Sequence, residues 1–133
     1  MEPYDSYAPR LSEGERYVVL AWGFVAETMN GGLHQFLTNS TGDYAQETRE
    51  ALHAIGAILA VEALDAARLV LFGGNPIPRD PLAREHILSE WDKVHGEDAA
   101  YEFLGRYDGQ LDHCESVNEA IAGYIREHYE MFG

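Results

Sequence analysis

The spacing of apolar residues constrains this chain most, because it repeats every three or four positions and no strand-like alternation matches it in strength. The clearest run consists of Tyr17, Leu20, Ala21, Phe24, Val25 and Thr28. That period places the side chains on one face of an α-helix. Ser12 and Glu15 precede the run with the spacing of a capping box. The sequence therefore predicts an all-α fold.

Glycine residues divide the first half of the chain into predicted helices. Asn30-Gly31-Gly32 tolerates positive φ and ends the first helix, and a short helix follows over residues 33–38. The next helix extends to Ile55, and three residues with a side-chain oxygen are candidates for its cap: Ser40, Thr41 and Asp43. Gly56 separates it from residues 57–72, whose apolar side chains surround most of the circumference. This pattern predicts a helix at the centre of the bundle.

The second half begins with a Pro-rich stretch, Gly73–Pro81, which predicts a long loop. Helices are predicted over residues 82–94 and 98–111. A last helix is expected to start at a Ser116 cap. Short connections favour antiparallel neighbours, so we predict a bundle of about six to seven helices.

The length of 133 residues fits one domain, with residues 1–10 as a flexible or loosely packed segment. Cys114 is the sole cysteine, which excludes an intrachain disulfide and is typical of a reducing compartment. The chain starts without the pattern of a secretory signal, and charged residues interrupt its longest apolar stretch, residues 51–72. We expect a cytoplasmic protein that does not enter a membrane.

The charge of the chain restricts its partners. Twenty-three acidic residues face nine Lys and Arg, which gives a formal net charge of −14. Such a protein repels phosphate, so direct binding to nucleic acid or to an anionic membrane is not expected. A partner with a basic surface is favoured instead. Acidity that only maintains solubility is the alternative interpretation.

The most specific local feature is a run of carboxylate, amide and glycine residues with one aromatic residue: Glu27, Asn30, Gly31, Gly32, Gln35, Phe36, Asn39 and Gly42. Helical spacing places Glu27 on the apolar face, where an unpaired carboxylate is costly. Two interpretations stay open. Glu27 accepts backbone N–H groups of the next helix while Gln35 and Asn39 hold the turn, or these residues and Asn30 form a pocket with Glu27 as acid, base or ligand.

On these residues the sequence resembles a family of small bacterial DNA-mimic proteins, most of whose members are known only as a domain of unknown function. The resemblance runs from Glu27 to Asp43, continues through Ala51-Leu52 and Ile55-Gly56-Ala57, and is looser through Arg84 to residues 124–128. It covers residues 11–132. It implies an acidic all-helical fold, a capacity to form homodimers, and binding to the DNA-binding face of a transcriptional regulator.

Mimicry of DNA requires carboxylates that are arrayed along a surface. Helix neighbours three or four positions apart lie about 5–6 Å from one another, and duplex DNA carries a charge about every 1.7 Å along its axis. An acidic helix face therefore presents a similar but sparser field. The predicted partner-binding surface lies in the C-terminal third and consists of Glu90, Asp92, Glu97, Asp98, Glu102, Asp108, Asp112, Glu115 and Glu119.

Catalytic and metal-binding signatures are weak in this sequence. The densest cluster of metal-ligand residue types, Asp112-His113-Cys114-Glu115, is consecutive and lacks the spacing of a zinc motif. We therefore predict no metal, no cofactor and no catalytic residue. The favoured function is a non-enzymatic acidic module that binds a basic protein surface. An enzymatic or small-ligand domain centred on Glu27, and a structural subunit that forms homodimers through an apolar helix face, are the alternatives.

Overall fold

The computed structural model describes residues 4–111 and 115–128, without the side chains of residues 109–111 and 115–116. This part of the chain contains no strand and folds into seven α-helices: α1 (Tyr4–Tyr7), α2 (Glu13–Thr38), α3 (Ala45–Ala54), α4 (Ile58–Leu71), α5 (Pro81–His95), α6 (Ala99–Leu111) and α7 (Glu115–Glu127). Two short 3-10 helices, Ala8–Arg10 and Ser40–Tyr44, precede α2 and α3. The predicted all-α bundle is confirmed.

Helix α2 lies at the centre of the bundle, where it packs against α3, α5, α6 and α7. The prediction that residues 57–72 form the central helix is wrong. Helix α4 buries residues such as Ala63 and Leu64 but leaves Leu59 and Leu69 exposed. Apolar residues therefore surround α4 because some of its leucines face solvent. Helix α4 is not in contact with other helices on every side.

Local sequence signals set the ends of several helices. Ser12 and Glu15 form the predicted capping box, in which Glu15 N donates to Ser12 Oγ at 3.2 Å and Ser12 N donates to Glu15 Oε1 at 2.9 Å. These bonds lower the pKa of Glu15. Gly56 has a φ of +83° and separates α3 from α4, as predicted. Asp80 caps α5 by accepting from Leu82 N at 3.0 Å.

Two predicted caps have other outcomes. Helix α3 begins after Tyr44, and its N-terminus has no side-chain cap from Ser40, Thr41 or Asp43. Asp43 turns instead to an arginine 41 positions away, and that charged contact outweighs a local cap. The Ser116 side chain lies outside the described residues. Within the part of the chain that is described, no helix has the length and apolarity that are required to cross a membrane.

Candidate functional site

The glycine pair divides α2 into two segments. Gly31 and Gly32 have non-helical backbone angles, and Gly32 has a φ of +75°. The second segment begins at Leu33, whose backbone N donates to Asp108 Oδ1 at 3.0 Å. A Cβ atom at Gly32 would lie 2.5 Å from Asp108 Oδ2. The predicted break at this position is confirmed, and both the positive φ and the approach of Asp108 require glycine.

Glu27 joins the two segments of α2 across this kink. Its Oε2 accepts from Gln35 Nε2 at 2.8 Å and from Asn39 Nδ2 at 3.0 Å. Glu27 is half-buried, and its carboxylate has hydrogen-bond donors, as expected on an apolar face. These donors are side-chain amides. The prediction of backbone donors is therefore wrong. The kink places the side-chain amides of Gln35 and Asn39 within hydrogen-bonding distance of the Glu27 carboxylate. Asn30 is exposed and is outside this hydrogen-bonded group.

The motif continues into a tightly packed turn. Phe36 is buried and contacts Phe24 edge to face, with ring centroids 5.1 Å apart. Gly42 N donates to Asn39 O at 3.0 Å. A Cβ atom at Gly42 would lie 2.6 Å from Phe36 O and 3.2 Å from Arg84 Cζ. Close approach of the backbone therefore requires glycine at this position.

Arg84 is the residue that organises this turn, and sequence reasoning gave it no structural role. Its side chain has an exposed fraction of 0%. Its five N–H groups donate to four backbone carbonyl oxygens and one carboxylate oxygen. The carbonyl oxygens belong to Leu37 (2.7 Å), Pro78 (2.8 Å), Arg79 (2.8 Å) and Asn39 (3.0 Å), and the carboxylate oxygen is Asp43 Oδ1 (2.7 Å). Every donor of the guanidinium is thus satisfied.

A signal for the burial of Arg84 was present in the sequence. Arg84 precedes Ile87, Leu88 and Trp91 by three, four and seven positions, which is the spacing of one helix face. Leu88 is buried, and Ile87 and Trp91 pack against the core. An arginine on that face is expected to be buried and bonded.

The acidic residues of the C-terminal third fall into two groups. Asp92 and Asp108 are half-buried, and each accepts a backbone N–H: Asp92 Oδ1 from Ala100 N at 2.8 Å, and Asp108 Oδ1 from Leu33 N. Both therefore stabilise helix ends, each through one carboxylate oxygen. The other acidic residues with described side chains are exposed: Glu90, Glu97, Asp98, Glu102 and Glu119. Asp112 and the Glu115 side chain lie outside the described residues.

Four of the nine Lys and Arg residues form ion pairs within the described part of the molecule. Four ion pairs occur among the described residues: Arg49–Asp65 (3.0 Å), Arg79–Glu47 (2.7 Å), Arg84–Asp43 (2.7 Å) and Lys93–Glu90 (2.9 Å). The Lys93 contact lowers the pKa of Glu90. Arg68 donates to Gly74 O at 2.6 Å. Glu97, Asp98 and Glu102 are exposed and form no ion pair with another described residue.

His34 lies between the kink and the acidic residues. Its ring is half-buried and contacts Tyr101 edge to face, with centroids 5.2 Å apart. Burial lowers the pKa of His34 from its ordinary value of 6.5, while the nearby charges of Asp92, Asp108 and Asp98 oppose that change. His34 is therefore held largely neutral at neutral pH.

The polar residues of the motif lie apart from three cavities and form no metal-ligand cluster among the described residues. Glu27, Asn30, Gln35 and Asn39 line none of these three cavities in the described part of the chain. In the same part of the chain, no three His, Cys, Asp or Glu side chains converge on a metal site. The cluster of residues 112–115 lies outside that part, apart from the backbone of Glu115. Glu27, Gln35 and Asn39 thus form a bonded scaffold, and Phe36 is the one residue of the motif that lines any of these three cavities.

Comparison with known proteins identifies the family. The sequence matches the family described as DMP19-like protein over residues 9–128. The chain belongs to the DMP19-like family. This is a DNA-mimic family, so the resemblance found in the sequence is confirmed at the level of the family. No curated protein and no solved structure is significantly similar to the chain.

Proposed function

We propose that this DMP19-like protein is a non-enzymatic binding module that occupies the DNA-binding face of a transcriptional regulator or another DNA-binding protein. The observation that carries the proposal is a group of three exposed carboxylates around the start of α6. These residues, Glu97, Asp98 and Glu102, are hereafter called the acidic end. Membership of the family supports the same function.

The acidic end surrounds the N-terminus of α6, where Asp98 has a φ of +59°. Helix α6 begins at Ala99, so its N-terminal dipole favours negative charge at these positions. Asp92, a residue of α5, accepts the backbone N–H of Ala100 in the first turn of α6. The three carboxylates of the acidic end are consequently not needed as caps, which leaves them free to contact a partner.

The electrostatics of the chain favour a basic partner. No described cation forms an ion pair with the acidic end, and four of the nine Lys and Arg residues pair with other described carboxylates. The field of the acidic end extends over a Debye length, about 8 Å at physiological salt. It accelerates encounter with a surface rich in Arg and Lys and repels DNA.

A charge-matched pair of variants tests this proposal. The partner is captured from native lysate at low salt, and its affinity is then measured for wild type and for Glu97→Gln/Asp98→Asn/Glu102→Gln. The control, Glu50→Gln/Glu62→Gln/Glu85→Gln, removes the same charge from three other exposed positions. We expect the first variant to lose on the order of tenfold in affinity and the control to lose much less, because contacts with the partner add to long-range attraction.

Two further measurements complete the test. DNA that carries the operator of the partner should compete with the protein, and the affinity should fall steeply with added salt. Equal losses in the two variants would show that the charge acts without a defined surface. Failure of DNA to compete would place the contact outside the DNA-binding face.

We also propose that the protein assembles as a homodimer through α4. Leu69 has an exposed fraction of 66%, and Ile58, Leu59 and Val70 are exposed on the same helix. Apolar side chains grouped in this way are typical of protein interfaces. Solution mass across a dilution series tests the assembly, and Leu69→Asp should shift it to monomer. A mass of one chain at every concentration would contradict it.

The alternative of an enzymatic or ligand-binding centre at Glu27 has less support. The Glu27 carboxylate accepts from the side-chain amides of Gln35 and Asn39, and Asn30 is exposed. Groups that act on a substrate are expected to converge on an open cavity.

A further inference from the structure

A cavity of about 400 Å³ lies between α3, α4 and the Pro-rich loop before α5. Its floor is closed by the buried side chains of Ala45 and Leu64. Several residues of its wall are open to solvent and can be reached by a ligand, and these are either charged or apolar: Arg49, Glu50, Asp65, Arg68, Pro76 and Ile77. The volume lies within the range of small-molecule sites.

Arg68 is a guanidinium that the fold holds in place at the edge of this cavity. Its Nη1 donates to Gly74 O at 2.6 Å, and Gly74 N donates to Arg68 O at 2.9 Å. Its Nε and Nη2 have no acceptor among the described residues, and it forms no ion pair with any of them. In a chain with 23 acidic residues, this fixed cation without a carboxylate partner is available to a carboxylate of a ligand.

Arg49 places a second guanidinium in the same wall. Its Nε donates to Asp65 Oδ1 at 3.1 Å and its Nη2 donates to Asp65 Oδ2 at 3.0 Å, so the plane of the group is fixed by two bonds. Its Nη1 has no acceptor among the described residues, and the side chain is 41% exposed. Planar donors that are fixed in this way suit the oxygens of a carboxylate.

The Pro-rich loop supplies a rigid apolar side of the cavity. Pro76 and Pro78 restrict the backbone on both sides of Ile77, which is half-buried. Arg84 Nη1 donates to Pro78 O and to Arg79 O, both at 2.8 Å, and thereby ties the loop to the core. A wall that is ordered before binding lowers the entropy that a ligand has to offset.

The balance of charge around the cavity restricts the ligand. Arg49 and Asp65 neutralise each other, which leaves Arg68 and Glu50. Glu50 is exposed and forms no ion pair with a described cation. A simple anion would be repelled by Glu50 and by the net charge of −14, and a simple cation would be repelled by Arg68. A molecule that carries both signs complements the wall.

We infer that this cavity binds a small zwitterion with an apolar side chain, of the chemical class of the free amino acids. The carboxylate of the ligand bonds Arg68 with Arg49 beside it, and its ammonium group faces Glu50. Its apolar side chain packs against Pro76 and Ile77. The site shares no residue with the acidic end, so it stands or falls separately from the proposed function.

L-leucine and L-phenylalanine are the probes for this site. Leucinamide, which lacks the carboxylate, and 4-methylpentanoate, which lacks the ammonium group, are the matched analogues. Binding is measured by NMR titration of the full chain, and the titration is repeated on Arg68→Gln and Arg126→Gln. Arg126 is the control, because it is an exposed arginine of α7 and lines none of the three cavities described above.

We expect the two amino acids to saturate wild type and Arg126→Gln, with amide shifts centred on Arg49, Arg68 and Ile77. Arg68→Gln should lower their affinity at least fivefold, and each analogue should bind wild type at least fivefold more weakly than leucine. The inference is overturned if neither amino acid saturates wild type, if the shifts centre elsewhere, if the two arginine variants bind alike, or if either analogue binds as tightly as leucine. The wild-type shifts and the analogues decide the matter if Arg68→Gln does not fold.

Discussion

The carboxylates of the kink region and those of the acidic end have opposite environments in one molecule. In the kink region, Glu27, Asp43 and Asp108 each accept from a specific donor and hold two segments of chain together. Glu97 and Glu102 of the acidic end are exposed and unpaired among the described residues. The net charge of −14 therefore includes two kinds of carboxylate. Only the exposed, unpaired carboxylates can attract and contact a basic partner.

The largest effect is expected from removing the buried guanidinium. Arg84→Met would leave four carbonyl groups and Asp43 without their donor, which costs about 3–5 kcal/mol of unfolding free energy. Arg49→Met is the control, because both side chains of its ion pair with Asp65 are 41% exposed and such pairs contribute less than about 1 kcal/mol. Urea denaturation measures both. Similar losses in the two variants would remove the distinction between buried and open charges.

A smaller but clear loss is expected at the kink. Gly32→Ala introduces a Cβ at a φ of +75° and within 2.5 Å of Asp108 Oδ2, which should cost roughly 2–3 kcal/mol. Gly105→Ala, in the interior of α6, should instead stabilise by about 0.5–1 kcal/mol. Thermal unfolding of the two variants provides the comparison. A Gly32→Ala protein as stable as wild type would mean that the kink is easily relaxed.

Two carboxylates of the same helix sharpen the comparison further. Asp108→Ala removes the acceptor of Leu33 N and should cost about 1 kcal/mol, the usual value of a helix cap. Glu102→Ala, at an exposed position, should change the unfolding free energy by less than about 0.5 kcal/mol. Chemical denaturation can resolve this difference. A larger loss for Glu102→Ala would mean that the acidic end supports the fold.

The smallest effect concerns pH. Burial lowers the pKa of His34 in the folded protein, so the unfolded chain takes up a proton first as the pH falls. The stability contributed by neutral His34 is therefore complete above its unfolded pKa of 6.5 and is lost as the pH falls through the folded pKa. NMR titration of the ring should give a value below 6.5. His34→Gln should reduce the loss of stability between pH 7 and pH 5, and an unchanged pH profile would contradict this assignment.

Features that depend on neighbours in sequence could be predicted. The capping box of Ser12 and Glu15 and the break at Gly31-Gly32 both follow from local backbone chemistry. Local sequence makes Asp43 one of three candidate caps, because nothing in its own segment indicates a guanidinium 41 positions away. The same limit applies to Asp108, which is 75 positions from the amide that it accepts.

The centre of the bundle could not be predicted from apolar content. Helix α4 is apolar around most of its circumference, yet α2 is the element that neighbours four other helices. The composition of a helix gives the amount of apolar surface that could be buried. The packing of the bundle determines which face of the helix is buried. The surplus apolar face of α4 is what supports the proposal of a homodimer.

The contacts of Arg84 have a consequence for how the protein opens. The guanidinium binds the end of α2, the 3-10 helix and the loop before α5 at once. Release of any one segment would leave a buried cation partly unbonded, so the three should open together as one cooperative unit. The Pro-rich loop, whose composition is typical of sites of proteolytic cleavage, is therefore expected to resist proteases until this unit opens.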